Sequence, residues 1–271
     1  MTGLIRIFCL MLACALPASA RAEPIAELYT SMAIVTGTGE KNRQLGFRDC
    51  LDRVLLRVSG DQRLPQNPDM EALRDRAGAF VDAFRYRDRL EGIPIHDEQG
   101  TYDRPHDLTC VFDQARMDAV LTSLGSRPWL DKRPVLTVFL SVEQNGRRFA
   151  LSADGGDSPF MGESFANAAE PLAMRLVLPA KAALAAARLD APSLPQADMA
   201  LLDDVAKQAG GDQALAGSIV WSDEDLGWVA DWRINFDGAT RNWQVRGVSF
   251  DEAFRVAMRG AAQILSGNGQ P

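Results

Sequence analysis

The segment of residues 135–143 is apolar on both faces of the strand that its sequence predicts. Because successive side chains of a strand point to opposite sides, Leu136, Val138 and Leu140 share one face, while Val135 and Phe139 share the other. A strand with two apolar faces needs cover from both sides. The segment therefore predicts the middle strand of a sheet with helices packed against it.

The order of the other predicted elements favours an α+β fold built from two α/β modules with mixed sheets. We predict the first module over residues 23–125 and the second over residues 135–266. Between them, residues 126–134 contain two prolines and four charged residues, which is typical of a linker. Residues 267–271 are predicted to be a flexible tail.

The amino-acid composition and net charge exclude some classes of protein and of partner, but they do not assign a function. The 271 residues carry a formal net charge of −7, with 46% apolar and 24% charged residues, as in soluble globular proteins. Because nucleic acids are bound mainly by clustered lysine and arginine, the acidic balance predicts no nucleic-acid partner.

The first residues have the pattern of a signal peptide over residues 1–22. Arg6 supplies a positive charge, and residues 7–16 form an apolar run that is too short to span a bilayer. Small residues follow, and cleavage after Ala20 or Ala22 fits the A-x-A pattern. We therefore expect a periplasmic or secreted protein.

Alternatively, residues 1–22 contain the signal sequence of a lipoprotein, in which Cys14 would be the lipidated residue. The bulky Leu12 fits that reading poorly. Beyond the leader, no stretch reaches the 18 apolar residues that indicate a transmembrane helix, so the mature chain is predicted to have none.

Two cysteines remain after the predicted cleavage, Cys50 and Cys110. Cys50 lies on the apolar face of a predicted helix, and Cys110 lies between Leu108 and Phe112 on one face of a predicted strand. In an oxidising compartment the two are candidates for one disulfide. The alternative is a pair of separate buried thiols.

The sequence offers no catalytic, cofactor-binding or metal-binding constellation, and we predict no cofactor. Ser164 lies in a loose nucleophile-elbow pattern, but both histidines, His96 and His106, precede it in the chain. The run His96-Asp97-Glu98 lacks the spacing of a helical zinc motif.

Two sets of residues are candidates for a ligand or partner surface. Four tryptophans, Trp221, Trp228, Trp232 and Trp243, lie within 23 residues. They fit either a sugar-binding platform or, by their alternation, the core side of a sheet.

The second set is an arginine stripe. Arg85, Arg87 and Arg89 alternate along a predicted strand, which fits either a solvated face or a partner-binding stripe.

Several segments resemble a proteobacterial exported-protein family of unknown function. The resemblance is carried by Leu51-Asp52-Arg53-Val54-Leu55-Leu56-Arg57-Val58-Ser59-Gly60, by Arg133-Pro134-Val135-Leu136 and by Gly217-Ser218-Ile219-Val220-Trp221. Residues 205–217 are also similar to a helix-turn-strand unit of small α/β domains in bacterial envelope-assembly proteins. The family resemblance implies no catalytic residue.

Two classes of function remain open from the sequence. The first is a periplasmic, non-enzymatic binding or envelope-assembly accessory protein, whose partner is an envelope protein or a cell-wall component. The alternative is an exported hydrolase that acts on cell-wall or glycan substrates through two carboxylates.

Overall fold

The computed structural model describes residues 25–93, 103–156 and 158–271. The predicted signal peptide, its cleavage sites after Ala20 and Ala22, and the alternative lipidation site Cys14 lie outside these ranges, as does His96.

The predicted α+β class is confirmed, with one antiparallel and one mixed sheet. The helices are α1 (Ile25–Leu28), α2 (Glu40–Ser59), α3 (Met70–Arg74), α4 (Gln114–Ser123), α5 (Pro159–Ala169), α6 (Lys181–Ala186), α7 (Met199–Gln208) and α8 (Phe250–Leu265). The strands are β1 (Thr30–Thr36), β2 (Val81–Asp88), β3 (Pro105–Phe112), β4 (Val135–Gln144), β5 (Arg147–Ala150), β6 (Arg175–Val177), β7 (Gln213–Ser222), β8 (Gly227–Phe236) and β9 (Ala239–Val248).

The first sheet has three antiparallel strands in the order β1-β3-β2, and α2 packs on one of its faces. The apolar residues of α2 recur every three or four positions, so Leu51, Val54 and Val58 lie on one side and are fully buried. The helix ends at Gly60, whose φ of 69° is in the left-handed region that glycine adopts without strain.

The second sheet has the order β5-β4-β7-β8-β9, and β6 pairs in parallel with the start of β4. The first eight residues of β4 are all buried, which confirms the prediction of a central strand with two covered faces. The two polar residues among these eight are hydrogen bonded, because Thr137 Oγ1 donates to the carbonyl of Ala206 in α7 and Ser141 Oγ to that of Ala191, between α6 and α7.

Different helices cover the two faces of this sheet. On one face, Phe165 of α5 and Phe254 of α8 stack with their ring centroids 4.2 Å apart, and the Trp232 ring meets both edge-on. On the other face, Leu202 and Val205 of α7 pack near Phe139 of β4. Burial of these two apolar layers supplies the main driving force for folding of this sheet.

The C-terminal end of α2 is hydrogen bonded to residues around the second sheet. The carbonyl of Val58 accepts from the Trp129 N–H at 2.8 Å, and that of Arg57 accepts from Arg133 Nη2 at 2.7 Å. The Arg133 guanidinium also lies over the Trp129 ring, 4.6 Å from its centroid. The predicted linker, residues 126–134, is therefore hydrogen bonded to the C-terminal end of α2 through Trp129 and Arg133.

Two side-chain amides near the C-terminus of the chain also form hydrogen bonds at or just beyond the end of α2. Gln263 Oε1 accepts from the backbone N–H of Gln62, and Asn268 Nδ2 donates to the Ser59 carbonyl at 2.9 Å. Asn268 lies in the predicted flexible tail, so at least this part of residues 267–271 is hydrogen bonded to α2.

None of the helices in the described ranges combines the length and the apolar character that crossing a bilayer requires.

We predict that Gly217→Ala destabilises the second sheet. A Cβ atom at Gly217 would lie 2.2 Å from two ring carbons of Trp232, which is directly opposite in β8. Because Trp232 is fully enclosed by other side chains, the ring has no space to move, and we expect a loss of about 1–3 kcal/mol of unfolding free energy. Denaturant titration measures this change.

Gly39→Ser is the matched control, because nothing lies within 4 Å of a Cβ atom at Gly39 and its backbone suits serine. It should leave the stability unchanged or raise it slightly. Equal destabilisation by the two substitutions would contradict the assigned Gly217–Trp232 packing.

Candidate functional site

The face of the first sheet that points away from α2 forms a candidate interaction surface. In β1 the residues that point toward α2 are buried, whereas Met32 and Ile34 point the other way and are 42% and 52% exposed. Val111 of β3 lies on the same outer face and is 37% exposed. We call the outward side chains of Met32, Ile34, Thr109, Val111, Arg85 and Arg87 the open sheet face.

Strand register arranges these residues in two rows. Met32 lies opposite Thr109, which lies opposite Arg85. Ile34 lies opposite Asp107, which lies opposite Arg87. Each row therefore runs from an apolar side chain at the β1 edge to an arginine at the β2 edge.

Asp107 is a buried carboxylate between two arginines. Its side chain is 4% exposed, and its Oδ2 lies 2.5 Å from Arg87 Nη2 and 3.1 Å from Arg87 Nε. Arg89 Nε lies 3.5 Å from Oδ1. A carboxylate removed from water needs such partners, since an unpaired buried charge is strongly destabilising.

The arginine stripe therefore remains positively charged. The carboxylate of Asp107 pairs with two of the three guanidinium groups, while Arg85 is exposed and forms no ion pair with a described residue. The three arginines and Asp107 together carry a formal charge of +2, on a chain whose formal net charge is −7. This contrast marks the open sheet face as an electrostatically distinct surface.

A groove of about 470 Å³ runs from the open sheet face around the β1 edge. Its lining includes Met32 and Val111 from the sheet, together with Arg53 and Arg85. Arg53 Nη1 donates to the Met32 carbonyl at 3.0 Å, so one backbone acceptor of the edge strand is already occupied. Glu27 and Glu170 add carboxylates to the lining of the groove, and Glu170 pairs with Arg57.

The four tryptophans do not share one surface. Trp228, Trp232 and Trp243 are 4%, 0% and 9% exposed and belong to the core beneath α5 and α8. Their alternation in β8 and β9 directs them toward these helices. Trp221 is 36% exposed at the end of β7, where its ring meets Trp228 edge-on.

The two cysteines meet inside the first module. Cys50 of α2 and Cys110 of β3 are both completely buried and both free. Cys50 Sγ donates to the Leu108 carbonyl at 3.7 Å, and the nearby Cys50 thiol together with burial raises the pKa of Cys110. The predicted approach of helix and strand is therefore present, while the disulfide itself is not formed in this structure.

Ser164 and His106, the two described residues considered for catalysis, have different hydrogen-bond partners. Ser164 Oγ donates to Asp251 Oδ1 at 2.5 Å, so a carboxylate rather than a histidine is its partner. His106 Nδ1 lies 2.8 Å from the Arg104 carbonyl, and its ring meets Tyr86 edge-on. Within the described ranges, no group of three or more His, Cys, Asp or Glu residues is placed to hold a metal ion.

Sequence reasoning identified the arginine stripe but missed its apolar and acidic neighbours. The signal for Met32 and Ile34 was present, because β1 alternates between two apolar faces although only one can meet α2. The role of Asp107 depends on the pairing of β2 with β3, which the sequence does not give.

Comparison with known protein families gives a match over part of the chain. The model of a domain of unknown function, DUF8605, matches residues 22–130, about two fifths of the sequence. This span includes the first sheet and α2, and therefore the open sheet face. No curated protein and no solved structure matches the chain.

We predict that Arg87→Ala lowers the free energy of unfolding by about 1–3 kcal/mol, because it removes two charge-assisted hydrogen bonds from the buried Asp107 carboxylate. Chemical denaturation at neutral pH measures the loss. A double-mutant cycle with Asp107→Asn assigns it to the pair.

Arg85→Ala is the control on the same strand, since Arg85 is exposed and unpaired among the described residues. Its effect should stay within about 0.5 kcal/mol. An Arg87 effect that is no larger than the Arg85 effect would show that the ion pair contributes nothing to stability.

Proposed function

We propose that this chain is an exported, non-enzymatic accessory protein of the bacterial cell envelope that binds a partner protein through the open sheet face. The signal-peptide pattern of residues 1–22 supports export to the periplasm. The resemblance to proteobacterial exported proteins and to envelope-assembly domains supports the cellular setting.

The observation that carries the proposal is the combination of exposed apolar side chains and positive charge on one rigid sheet. Met32, Ile34 and Val111 offer apolar contact area, and Arg85 lies at the far end of the Met32 row with no described ion-pair partner. Exposed apolar groups bordered by polar ones are typical of protein interaction sites. Arginine is also among the residues enriched at interfaces.

Charge complementarity defines the partner. The open sheet face is locally positive, so it fits an acidic segment of an envelope protein that also carries apolar residues. Polyanionic nucleic acid is a poor fit, because the rest of the chain is strongly acidic.

We predict that Ile34→Asp and Arg85→Glu each weaken partner binding at least about tenfold, by removing an apolar contact and by reversing the charge that faces the partner. Cross-linking in intact envelopes followed by purification of the full chain identifies the partner. Titration of the purified partner then gives the affinity of each variant.

Phe160→Asp is the control, because Phe160 is 72% exposed and lies on α5, outside the open sheet face. It should leave the affinity unchanged. Recovery of glycan fragments without a stoichiometric protein would favour the alternative function, an exported hydrolase of cell-wall or glycan substrates. Unchanged affinity of both variants would exclude the open sheet face as the binding surface.

We further propose that Cys50 and Cys110 form a disulfide in the exported protein. The two buried thiols are neighbours between α2 and β3, and the periplasm is oxidising. The two S–H bonds would break and one S–S bond would form, and the two protons and two electrons released would reduce a donor disulfide to a dithiol. The bond would close a loop of about 60 residues and stabilise the chain by up to about 4 kcal/mol on the chain-entropy model.

We predict that exported protein is lighter by two hydrogens than the same chain after reduction, and that it unfolds at higher denaturant concentration. Mass spectrometry of the intact chain and denaturant titration measure the two effects. Cys50→Ser is the control and should respond to reductant in neither measurement. Exported protein whose two thiols both react with an alkylating agent after unfolding would contradict the proposal.

A further inference from the structure

The hairpin that joins β7 to β8 carries large apolar side chains into solvent at its tip. Val220 and Trp221 at the end of β7 are 40% and 36% exposed, and Leu226 just before β8 is 83% exposed. We call residues 220–227 the hairpin tip. It belongs to the second sheet and shares no residue with the open sheet face.

Leu226 also has an unfavourable backbone conformation. Its φ is 51°, in the left-handed region where a side chain crowds the backbone and where glycine or asparagine is usual. Because the side chain is exposed, its packing within the fold does not offset this strain. Strained residues of this kind concentrate at functional sites, so the combination indicates a role outside the fold.

The tip is held in one conformation by its own polar groups. Ser222 Oγ donates to Asp225 Oδ2 at 2.7 Å, and Arg246 of β9 pairs with the same oxygen at 2.9 Å. Hydrogen bonds from Arg246 and Ser222 lower the pKa of Asp225, so its carboxylate stays ionised. The Trp221 indole donates to Asp223 at 2.9 Å, and Leu226 is therefore presented on a preorganised loop.

The charge around these apolar groups is negative. Asp223 and Glu224 are exposed, and Arg246 offsets Asp225. An anionic lipid surface repels such a rim, whereas lysine and arginine on a protein attract it. Tryptophan is among the residues enriched at binding hot spots, burial of the exposed Leu226 side chain would add apolar contact area, and preorganisation lowers the entropic cost of insertion.

We propose that the hairpin tip is a second partner-binding site, in which Leu226 and Trp221 insert into an apolar pocket of another envelope protein that is bordered by lysine or arginine. The pocket would bury both apolar side chains, and its cations would face Asp223 and Glu224. Binding at the hairpin tip does not require the open sheet face. An experiment can therefore disprove one of the two proposed binding sites without disproving the other.

A photo-cross-linking amino acid at position 226 of the full chain tests this proposal in the cells that produce it. The same amino acid at position 160 is the matched control, because Phe160 is similarly exposed on α5. We expect position 226, and not position 160, to capture one protein. The cross-linked peptide should map to apolar residues next to lysine or arginine.

Variants of the purified chain then measure the contributions. Leu226→Gly should weaken binding of the captured protein at least about tenfold, while the melting temperature stays equal or rises as the strain is relieved. Asp223→Lys combined with Glu224→Lys should weaken binding and reduce its dependence on salt concentration. These results together would show that the apolar side chain of Leu226 and the acidic side chains of Asp223 and Glu224 both contribute to partner binding.

Three outcomes would overturn the proposal. Position 226 could yield only lipid adducts, only adducts with a second copy of this chain, or no adduct beyond the position 160 control. Full affinity of the Leu226→Gly variant for the captured protein would also overturn it, whatever the cross-linking shows.

Discussion

Helix α2 is the element on which both parts of the structure depend. Its apolar side forms the centre of the first core through residues such as Leu51 and Val54, while Leu56 packs against the core of the second sheet. Its last carbonyls accept hydrogen bonds from Trp129, Arg133 and Asn268. The orphan acceptors of a helix end are thus satisfied by groups that lie far along the chain.

This arrangement explains what the sequence could predict about the fold. Features set by local spacing were predictable: the apolar side of α2 and the doubly covered β4. The contacts of Arg133 and Asn268 were not, because a charged residue in a proline-rich stretch or an amide near a chain end looks locally like part of a loop. Only long-range packing gives them their partners.

The same distinction holds for the candidate surfaces. The alternation of Arg85, Arg87 and Arg89 was visible in the sequence, as was the clustering of the tryptophans. Tertiary structure decides whether each of these residues is exposed or buried and which partners it has. Strand β3 brings Asp107 beside Arg87, and α8 covers Trp243 but not Trp221. Leu226 had no sequence signal, because its significance lies in a backbone angle that the neighbouring residues impose.

The hydrogen bonds at the end of α2 also bear on how such a chain evolves. The match to DUF8605 ends at residue 130, one residue after Trp129, and so includes one of the three donors. Arg133 and Asn268 lie beyond it. A recombination event that moved only the matched segment would leave carbonyls of α2 unsatisfied and uncover Leu56, so a new neighbour would have to supply both donors and an apolar cover. Inheritance of the two halves together avoids that requirement.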